Sequence, residues 1–293
     1  MKKVEIVALA ITASIMWGAS FPVIKIGLEN VPPVLFGTLR YVIAVPLFLL
    51  LSLVLYGKKL FSIRDDIPLF IALGLVGVTM PTVLQNYGMM HTTAYMSSIL
   101  QSTGPVFTVL LAAYFLKEKL TWYKTAGIII ASAGTYLALD IHFSSLGSSV
   151  GNALVLLSAV SYAVGGIIAK TCLNRGYKPV QILMLSSLFG AAVLIVITPF
   201  SGNISLGFSA ETWGLILFLA VVSTFLPYTL WYAAMEKTEL SRLSFFVYLI
   251  PVFATIFSYF MIGERITWLA VLAAAIIITG ITIAQTHRNL NAM

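Results

Sequence analysis

Residues 105–138 read PVFTVLLAAYFLKEKLTWYKTAGIIIASAGTYLA, and residues 251–284 read PVFATIFSYFMIGERITWLAVLAAAIIITGITIA. The two segments align without a gap at a constant offset of 146 residues (251 minus 105). Apolar sequences agree partly by chance, but several matches involve less common residues: Pro105/Pro251, Glu118/Glu264, Thr121/Thr267, Trp122/Trp268 and Gly134/Gly280. The same offset relates Pro81 to Pro227, and an offset of 145 relates Lys25 to Lys170. The chain therefore contains one unit twice.

The composition places this unit in a membrane. Hydrophobic residues make up 60% of the chain and charged residues 9%, with a mean hydropathy of +1.01. A spanning helix needs about 20 apolar residues, because the hydrocarbon layer is about 30 Å thick. Such runs recur along the chain and predict ten helices: about Ile6–Ile24, Val34–Tyr56, Ile67–Met90, Ala94–Leu116, Thr121–Leu139, Val150–Cys172, Val180–Phe200, Glu211–Met235, Leu240–Ile262 and Thr267–Gln285.

The polar stretch DIHFSSLGSS separates two sets of five predicted helices. We expect a first unit at residues 1–139, a connecting loop at 140–149 and a second unit at 150–293. Loops of this composition, with glycine and several serines, commonly join structural units.

Basic residues predict the direction of the chain. If the amino terminus is cytoplasmic, 14 of the 17 Lys and Arg residues lie in cytoplasmic segments. They are Lys2, Lys3, Lys58, Lys59, Arg64, Lys117, Lys119, Lys124, Lys170, Arg175, Lys178, Lys237, Arg242 and Arg288. This distribution agrees with the positive-inside rule. An even number of spans then returns the carboxyl terminus to the cytoplasm.

An odd number of spans in each unit has a further consequence, because the second unit must insert upside down relative to the first. The predicted fold class is therefore an all-α integral membrane protein with ten transmembrane helices in two inverted-topology five-helix repeats. Inverted repeats are typical of secondary transporters, in which two related halves rock around a central site.

Four features together resemble a known family. They are the doubled unit, the charged turn before Thr121 and Thr267, the segment MWGASFP at 16–22, and the arginine in FGTLRYVIA at 36–44. The chain resembles the EamA-type transporters of the drug/metabolite transporter superfamily over nearly its whole length. The resemblance implies a carrier of a bacterial-type inner membrane, often an exporter of amino acids or related metabolites. The second half departs from the first, since it lacks an equivalent of Arg40.

Trp17 and Tyr162 correspond across the repeat. Each lies about 18 Å from the predicted start of its helix, close to the middle of the bilayer. Aromatic side chains in membrane proteins are usually enriched at the interfaces. The central pair therefore predicts a stacking surface for a flat or amphipathic substrate, whereas helix packing with locally satisfied polar edges is the alternative.

Arg40 lies inside a predicted span. Ionisable groups within a membrane are costly and usually functional, so Arg40 is predicted to bind a carboxylate of the substrate. The alternative is that it reaches the interface or binds free carbonyl groups at a helix break.

Four prolines are predicted hinges, in the repeat-related pairs Pro81/Pro227 and Pro105/Pro251. A proline within a helix leaves carbonyl groups unbonded, and lipid-exposed carbonyls are not tolerated. The flanking side chains should therefore face a cavity, and they complete the predicted substrate-binding set: Gln85, Tyr95, Gln101, Tyr228, Trp231 and Tyr248. The first, third, fourth, sixth, eighth and ninth helices should line the pathway. Alternatively, the prolines only shape helices for packing.

Glu118 and Glu264 lie just before Thr121 and Thr267, where the next helix should begin. An acidic group and a threonine at a helix amino terminus are ordinary stabilisers. We therefore interpret both carboxylates as structural.

Several kinds of site are not predicted. No carboxylate lies in the predicted core, so proton coupling through an Asp or Glu relay is not supported. Three dispersed histidines and the single Cys172 predict neither a metal site nor a disulfide. A phosphate-binding loop and a G-x-S-x-G motif are absent, so we expect no catalytic residue and no cofactor. The scattered basic residues indicate topology rather than nucleic-acid binding.

The predicted function is secondary transport of a small amphipathic metabolite by alternating access. The substrate is expected to be an amino acid or a related compound, moved outward, and the partners are this substrate and the lipid bilayer. A channel or facilitator and a drug- or nucleoside-type exporter remain as alternatives, and an intramembrane enzyme has the least support. Assembly as a homodimer is left open.

Overall fold

A computed structural model describes residues 3–57, 66–139, 149–202, 204–263 and 268–285. These residues form helices and the turns that join them, with no β-strand within the ranges given. Most of the predicted connecting loop 140–149 lies outside them, as do Glu264, Arg265, Thr267 and several of the basic residues used to predict topology: Lys2, Lys58, Lys59, Arg64 and Arg288.

Fourteen α-helices occur in the described residues. They are α1 Lys3–Gly27, α2 Pro33–Tyr56, α3 Ile67–Gly74, α4 Met80–Met90, α5 Ala94–Gln101, α6 Gly104–Phe115, α7 Trp122–Leu139, α8 Ser149–Asn174, α9 Pro179–Ile197, α10 Ala210–Ala220, α11 Leu226–Lys237, α12 Leu240–Ser244, α13 Ile250–Ile262 and α14 Trp268–Gln285. The count exceeds the predicted ten because several spans are interrupted.

Eight helical segments in the described part of the chain are long and apolar enough to cross a membrane. They are Lys3–Gly27, Pro33–Tyr56, Ile67–Met90, Ala94–Phe115, Ser149–Asn174, Pro179–Phe200, Ala210–Lys237 and Leu240–Met261. Each closely matches a span predicted from the sequence. The other two predicted spans correspond to α7 and α14, which are shorter at 18 residues each.

A wider, π-helical turn precedes each proline of the first hinge pair. The turns are Leu75–Thr79 and Val221–Phe225, related by the offset of 146 residues found in the sequence. Pro81 and Pro227 then occupy the second positions of α4 and α11. A proline lacks the N–H group and crowds the preceding turn, so local widening of the helix lets the span continue.

The second proline pair lies where two other spans are interrupted. Residues 102–103 separate α5 from α6, and a 3₁₀ segment, Phe245–Leu249, separates α12 from α13. Pro105 and Pro251 are the second residues of the helices that follow. The fourth and ninth predicted helices are therefore broken one turn before each proline rather than continuous.

Helices from the two halves of the chain interleave. α1 packs against α11 and α13, and α8 packs against α4 and α6, while α2 contacts α9 and α7 contacts α14. Small residues permit these approaches: a Cβ atom on Gly165 would lie 2.6 Å from the Cα atom of Gly77. The result is a core in which corresponding helices from both halves surround a common centre.

Two lysines make corresponding contacts in the two halves. Each donates to two carbonyl oxygens near a helix end: Lys25 to Met89 (2.7 Å) and Thr92 (2.8 Å), and Lys170 to Met235 (2.6 Å) and Thr238 (2.8 Å). A cation is favourable at a helix carboxyl terminus, where several carbonyl groups lack partners within the helix. The sequence offset between the lysines therefore corresponds to a repeated tertiary contact.

Candidate functional site

A cavity of about 140 Å³ lies between the two halves. Trp17 from the middle of α1 and Tyr162 from the middle of α8 both line it. Five more of the side chains that the sequence singled out also line it: Arg40, Gln85, Gln101, Tyr228 and Trp231. The structure thus brings seven of the nine predicted substrate-binding residues to one place.

Aromatic rings form one wall of the cavity. The Trp17 ring packs edge-to-face against Tyr228, with centroids 5.2 Å apart, and against Trp231 at 5.1 Å. Tyr228, Trp231 and Tyr232 share one face of α11, because residues three and four apart lie together on a helix. The phenol groups of Tyr41 and Tyr162 lie close to that of Tyr228. Rings with polar edges suit an amphipathic molecule.

Two amides lie beside the interrupted helices of the first half. Gln85 is one turn beyond Pro81 in α4, and Gln101 ends α5. The Ser158 hydroxyl of α8 donates to the carbonyl oxygen of Pro81 at 3.0 Å and contacts Gln101 Oε1 at 3.4 Å. Ser158 therefore joins α8 to the backbone at Pro81 and to Gln101, and both amides line the cavity.

Arg40 is buried, with 6% of its surface exposed, and it reaches the π-helical turn Val221–Phe225 of the other half. Its Nε atom donates to the Thr224 hydroxyl, and its Nη2 atom donates to the Ser223 carbonyl oxygen at 3.1 Å. Of the described residues that line the cavity, Arg40 is the only charged one. The arginine thus binds a helix break and also borders the cavity.

Two predicted binding residues lie away from the cavity. Tyr248 is fully buried, and its hydroxyl hydrogen-bonds to Ser132 of α7 at 3.1 Å. Tyr95 packs beside Ile99 and Ala273. Among the predicted hinge residues, Pro105 lines the cavity, whereas Pro81, Pro227 and Pro251 do not.

Several lining residues were not predicted from the sequence. Small and hydroxyl-bearing side chains complete the wall: Ser20, Gly77, Thr108, Gly165, Gly166, Ser223 and Ser244. Gly77 and Ser223 are related by the 146-residue offset, and each lies four residues before a proline of the first hinge pair. Their shared position relative to the prolines could have predicted from the sequence that both residues line the cavity.

A second cavity, of about 500 Å³, lies at one end of the molecule and is rich in charge. It is lined by Leu116, Glu118, Lys170, Asn174, Glu236, Lys237, Thr238, Glu239 and Arg242. Leu240, the residue after Glu239, lines the central cavity. The amino terminus of α12 therefore lies between the two cavities.

Glu118 has a different partner from the one expected. Its carboxylate accepts hydrogen bonds from the backbone N–H groups of Leu240 at 2.8 Å and Ser241 at 3.0 Å, and from the Ser241 hydroxyl. Glu118 is therefore structural, as interpreted from the sequence, but it caps α12 in the other half rather than the helix that follows it. Thr121, as predicted, lies at the start of its own helix, where it accepts from the Lys124 N–H group at 3.4 Å.

Ion pairs surround this contact. The Lys124 ammonium group lies 3.0 Å from Glu239 and 3.9 Å from Glu118, and Arg242 donates to Glu239 at 2.8 Å. Burial raises the pKa of the Glu239 carboxyl, but the Lys124 hydrogen bond and charge, together with Arg242, outweigh it. The pKa of Glu239 consequently lies below its ordinary value.

Metal-ligating side chains do not cluster in the part of the chain that the structure describes: no group of three His, Cys, Asp or Glu residues there could hold an ion. The charged cavity combines acids with lysines and arginine, which form ion pairs with one another. Such a donor set is poorly suited to a cation.

Comparisons with known proteins agree with this architecture. The model of the EamA-like transporter family matches twice, at residues 5–139 and 149–286. An uncharacterized transporter of Archaeoglobus fulgidus is 32% identical over 98% of this chain and 100% of its own length. A probable amino-acid metabolite efflux pump of Escherichia coli is 27% identical over 94% of this chain and 93% of its own.

A solved crystal structure shares the fold, with a TM-score of 0.80 and 18% sequence identity over 97% of both chains. The family resemblance found in the sequence is confirmed by the two family matches, which together span almost the whole chain. This multi-pass helical membrane protein belongs to the EamA-like transporter family.

Proposed function

We propose that the protein is a secondary carrier that moves a small amphipathic metabolite, an amino acid or a related compound, by alternating access. The central cavity carries this proposal, because both halves contribute its lining and Trp17 and Tyr162 reach it from mid-helix. Sites at a repeat interface near the bilayer midplane are usual in carriers. The efflux pump of Escherichia coli suggests the outward direction.

The carrier would have ten spans in two oppositely inserted units, at residues 1–139 and 150–293, joined by the loop 140–149. Repeated π-helical turns and repeated lysine contacts support two equivalent units. α7 and α14 would be the remaining spans, lying side by side at the edge of the molecule. Both termini would face the cytoplasm of a bacterial-type inner membrane.

Alternating access would use the interrupted helices as hinges. Pro81 and Pro227 follow the two π-helical turns, and Pro105 and Pro251 follow the two breaks. Non-helical backbone of this kind persists in a membrane only where protein or a water-filled cavity satisfies it. Movement of α12 relative to Glu118 would connect the central and charged cavities.

Counterflow tests the proposal. Proteoliposomes preloaded with unlabelled leucine or phenylalanine should accumulate the same labelled amino acid transiently above its equilibrium level. A carrier exchanges one substrate for another through a single site, so the overshoot should saturate with external concentration. Flux that rises linearly without an overshoot would instead identify a channel.

A further inference from the structure

The guanidinium group of Arg40 has donors that no described residue uses. Nε donates to Thr224, and Nη2 donates to the carbonyl oxygen of Ser223 and lies 3.4 Å from its hydroxyl. Nη1 has no hydrogen-bond partner within the ranges that the structure describes, although the side chain is 94% buried (6% exposed). Because Arg40 lines the central cavity, the two N–H groups of Nη1 are available to a molecule bound there.

The positive charge of Arg40 also has no counter-ion among the described residues. No carboxylate of the described chain lies within ion-pairing distance of it, and no acidic side chain is among the residues that line the cavity. Its partners are two hydroxyl groups, a backbone carbonyl and the face of the Tyr41 ring, all of which are neutral. A buried cation without an opposite charge is unfavourable, and the natural complement is an anion.

We infer that the central cavity requires an anionic group on its ligand, and that a carboxylate pairs with Arg40 while analogues without a carboxylate are rejected. This inference rests on the proposed function and narrows it to carboxylate-bearing compounds. A hydrogen bond from a charged arginine to a carboxylate is about twice as strong as one between neutral groups, and the free Nη1 atom supplies the donor for it. The aromatic wall around Trp17 would receive the apolar part of the same molecule.

Thr224 and Ser223 are positioning residues in this scheme. The Thr224 hydroxyl donates to the Leu219 carbonyl oxygen at 2.8 Å, so its lone pair is directed to Arg40 Nε. The guanidinium plane is therefore held by the π-helical turn Val221–Phe225 and presents its remaining edge to the cavity. An arginine binds only one of the two π-helical turns. The position equivalent to Arg40 in the second half (40 plus 146) is Ser186, so the turn Leu75–Thr79 has no corresponding arginine.

Matched ligand sets test the requirement for an anion. Purified protein is heated with leucine, 4-methylpentanoate, leucinamide or isoamylamine, and with phenylalanine, 3-phenylpropionate, phenylalaninamide or phenethylamine. Within each set the side chain is constant and the charge changes. The four carboxylates should raise the Tm of the wild-type protein, and the amides and amines should not.

Variants then assign the effect to Arg40. Arg40→Gln should weaken carboxylate binding at least about 30-fold, because a charged partner in a buried pair is lost. Arg40→Lys should retain part of the response. Arg175→Gln is the matched control, since Arg175 is an exposed arginine paired with Asp66. Thr224→Val should reduce the preference for carboxylates over amides, because the hydroxyl group that holds Nε is lost. Thr224→Ser keeps a hydroxyl group and should show the wild-type preference.

Each outcome bears on the inference. Equal stabilisation by amides or amines, or none by any carboxylate, would overturn it. Retention of the wild-type response in Arg40→Gln would do the same. Binding of acids without counterflow would instead contradict the carrier function and leave the anion site standing. Counterflow of leucinamide would support a carrier and reject the anion requirement.

Discussion

Trp17 and Trp231 lie edge-to-face with their ring centroids 5.1 Å apart, which joins α1 of the first half to α11 of the second in one wall of the central cavity. Tyr228 meets the same indole from one turn away on α11. A ring held by two others has little freedom to turn, so a ligand meets a preformed surface. The contact therefore connects the packing of the halves with the shape of the candidate site.

Trp17→Ala should impair transport more than it impairs folding. In the proposed function the Trp17 ring stacks on the apolar part of the substrate, and one aromatic contact contributes about 0.5–1.5 kcal/mol, so its loss should raise the half-saturating concentration about two- to tenfold. Counterflow at varied substrate concentration measures this. Trp122→Ala is the matched control, because Trp122 is 72% exposed on the outer surface of α7. Equal effects in both variants would contradict a role for Trp17 at the cavity.

Gly165→Ala should destabilise the protein, because the new methyl group would lie 2.6 Å from the Cα atom of Gly77. Overpacking of this kind costs about 1–3 kcal/mol. The Tm in one detergent, compared with that of wild type, measures the change. Gly214→Ala in α10 is the control, since nothing lies within 4 Å of its added atom and alanine favours a helix. A wild-type Tm for Gly165→Ala would show that the two helices separate easily.

The position of the cavity could be predicted largely from the repeat. Trp17 and Tyr162 correspond in the sequence, and corresponding mid-helix positions in two related units meet near their common axis. Gln85 and Tyr228 could be predicted to line the cavity because they lie close in sequence to Pro81 and Pro227. Polar groups beside a helix interruption in lipid must face the interior, and this physical rule was sufficient.

The direction of Tyr248 could not be predicted in the same way. It lies in the 3₁₀ segment Phe245–Leu249, where each residue turns the chain by about 120° instead of 100°. Its ring consequently points to Ser132 rather than into the cavity. The partner of Glu118 could not be predicted for a different reason, since a local pattern cannot show that its carboxylate binds α12.

Glu118→Gln should lower stability by about 1–3 kcal/mol, because hydrogen bonds to a charged acceptor are stronger than those to an amide. The carboxylate accepts from two N–H groups and one hydroxyl at the start of α12, which an amide cannot reproduce. Thermal unfolding of the purified variant measures the loss. Glu29→Gln, at an exposed loop position, should leave the Tm nearly unchanged. Matching Tm values for the two variants would reject the capping role.

The ion pair of Glu239 should contribute to stability at neutral pH and lose this contribution in acid. Its pKa in the folded protein is lowered below the ordinary 4.5, so the unfolded chain binds its proton more readily. Stability from the pair is complete above the unfolded pKa and falls as the pH drops through the folded value. The Tm difference between wild type and Glu239→Gln should therefore be constant from pH 6 to 8 and shrink below about pH 4.5. A difference that disappears between pH 6 and 8 would exclude this assignment.

Opposite insertion of the two units can be tested at corresponding loops. Asn30 follows α1, and Asn174 ends α8; both are exposed and lie at the carboxyl-terminal ends of corresponding helices. If the units are inverted, a membrane-impermeant maleimide added to intact cells should label Asn30→Cys but not Asn174→Cys. Asn174→Cys should react only after permeabilisation. The wild-type protein supplies the background, because its single cysteine, Cys172, is buried. Labelling of both positions from the same side would mean that the two units cross the membrane in the same sense, and the alternating-access proposal would lose its structural basis.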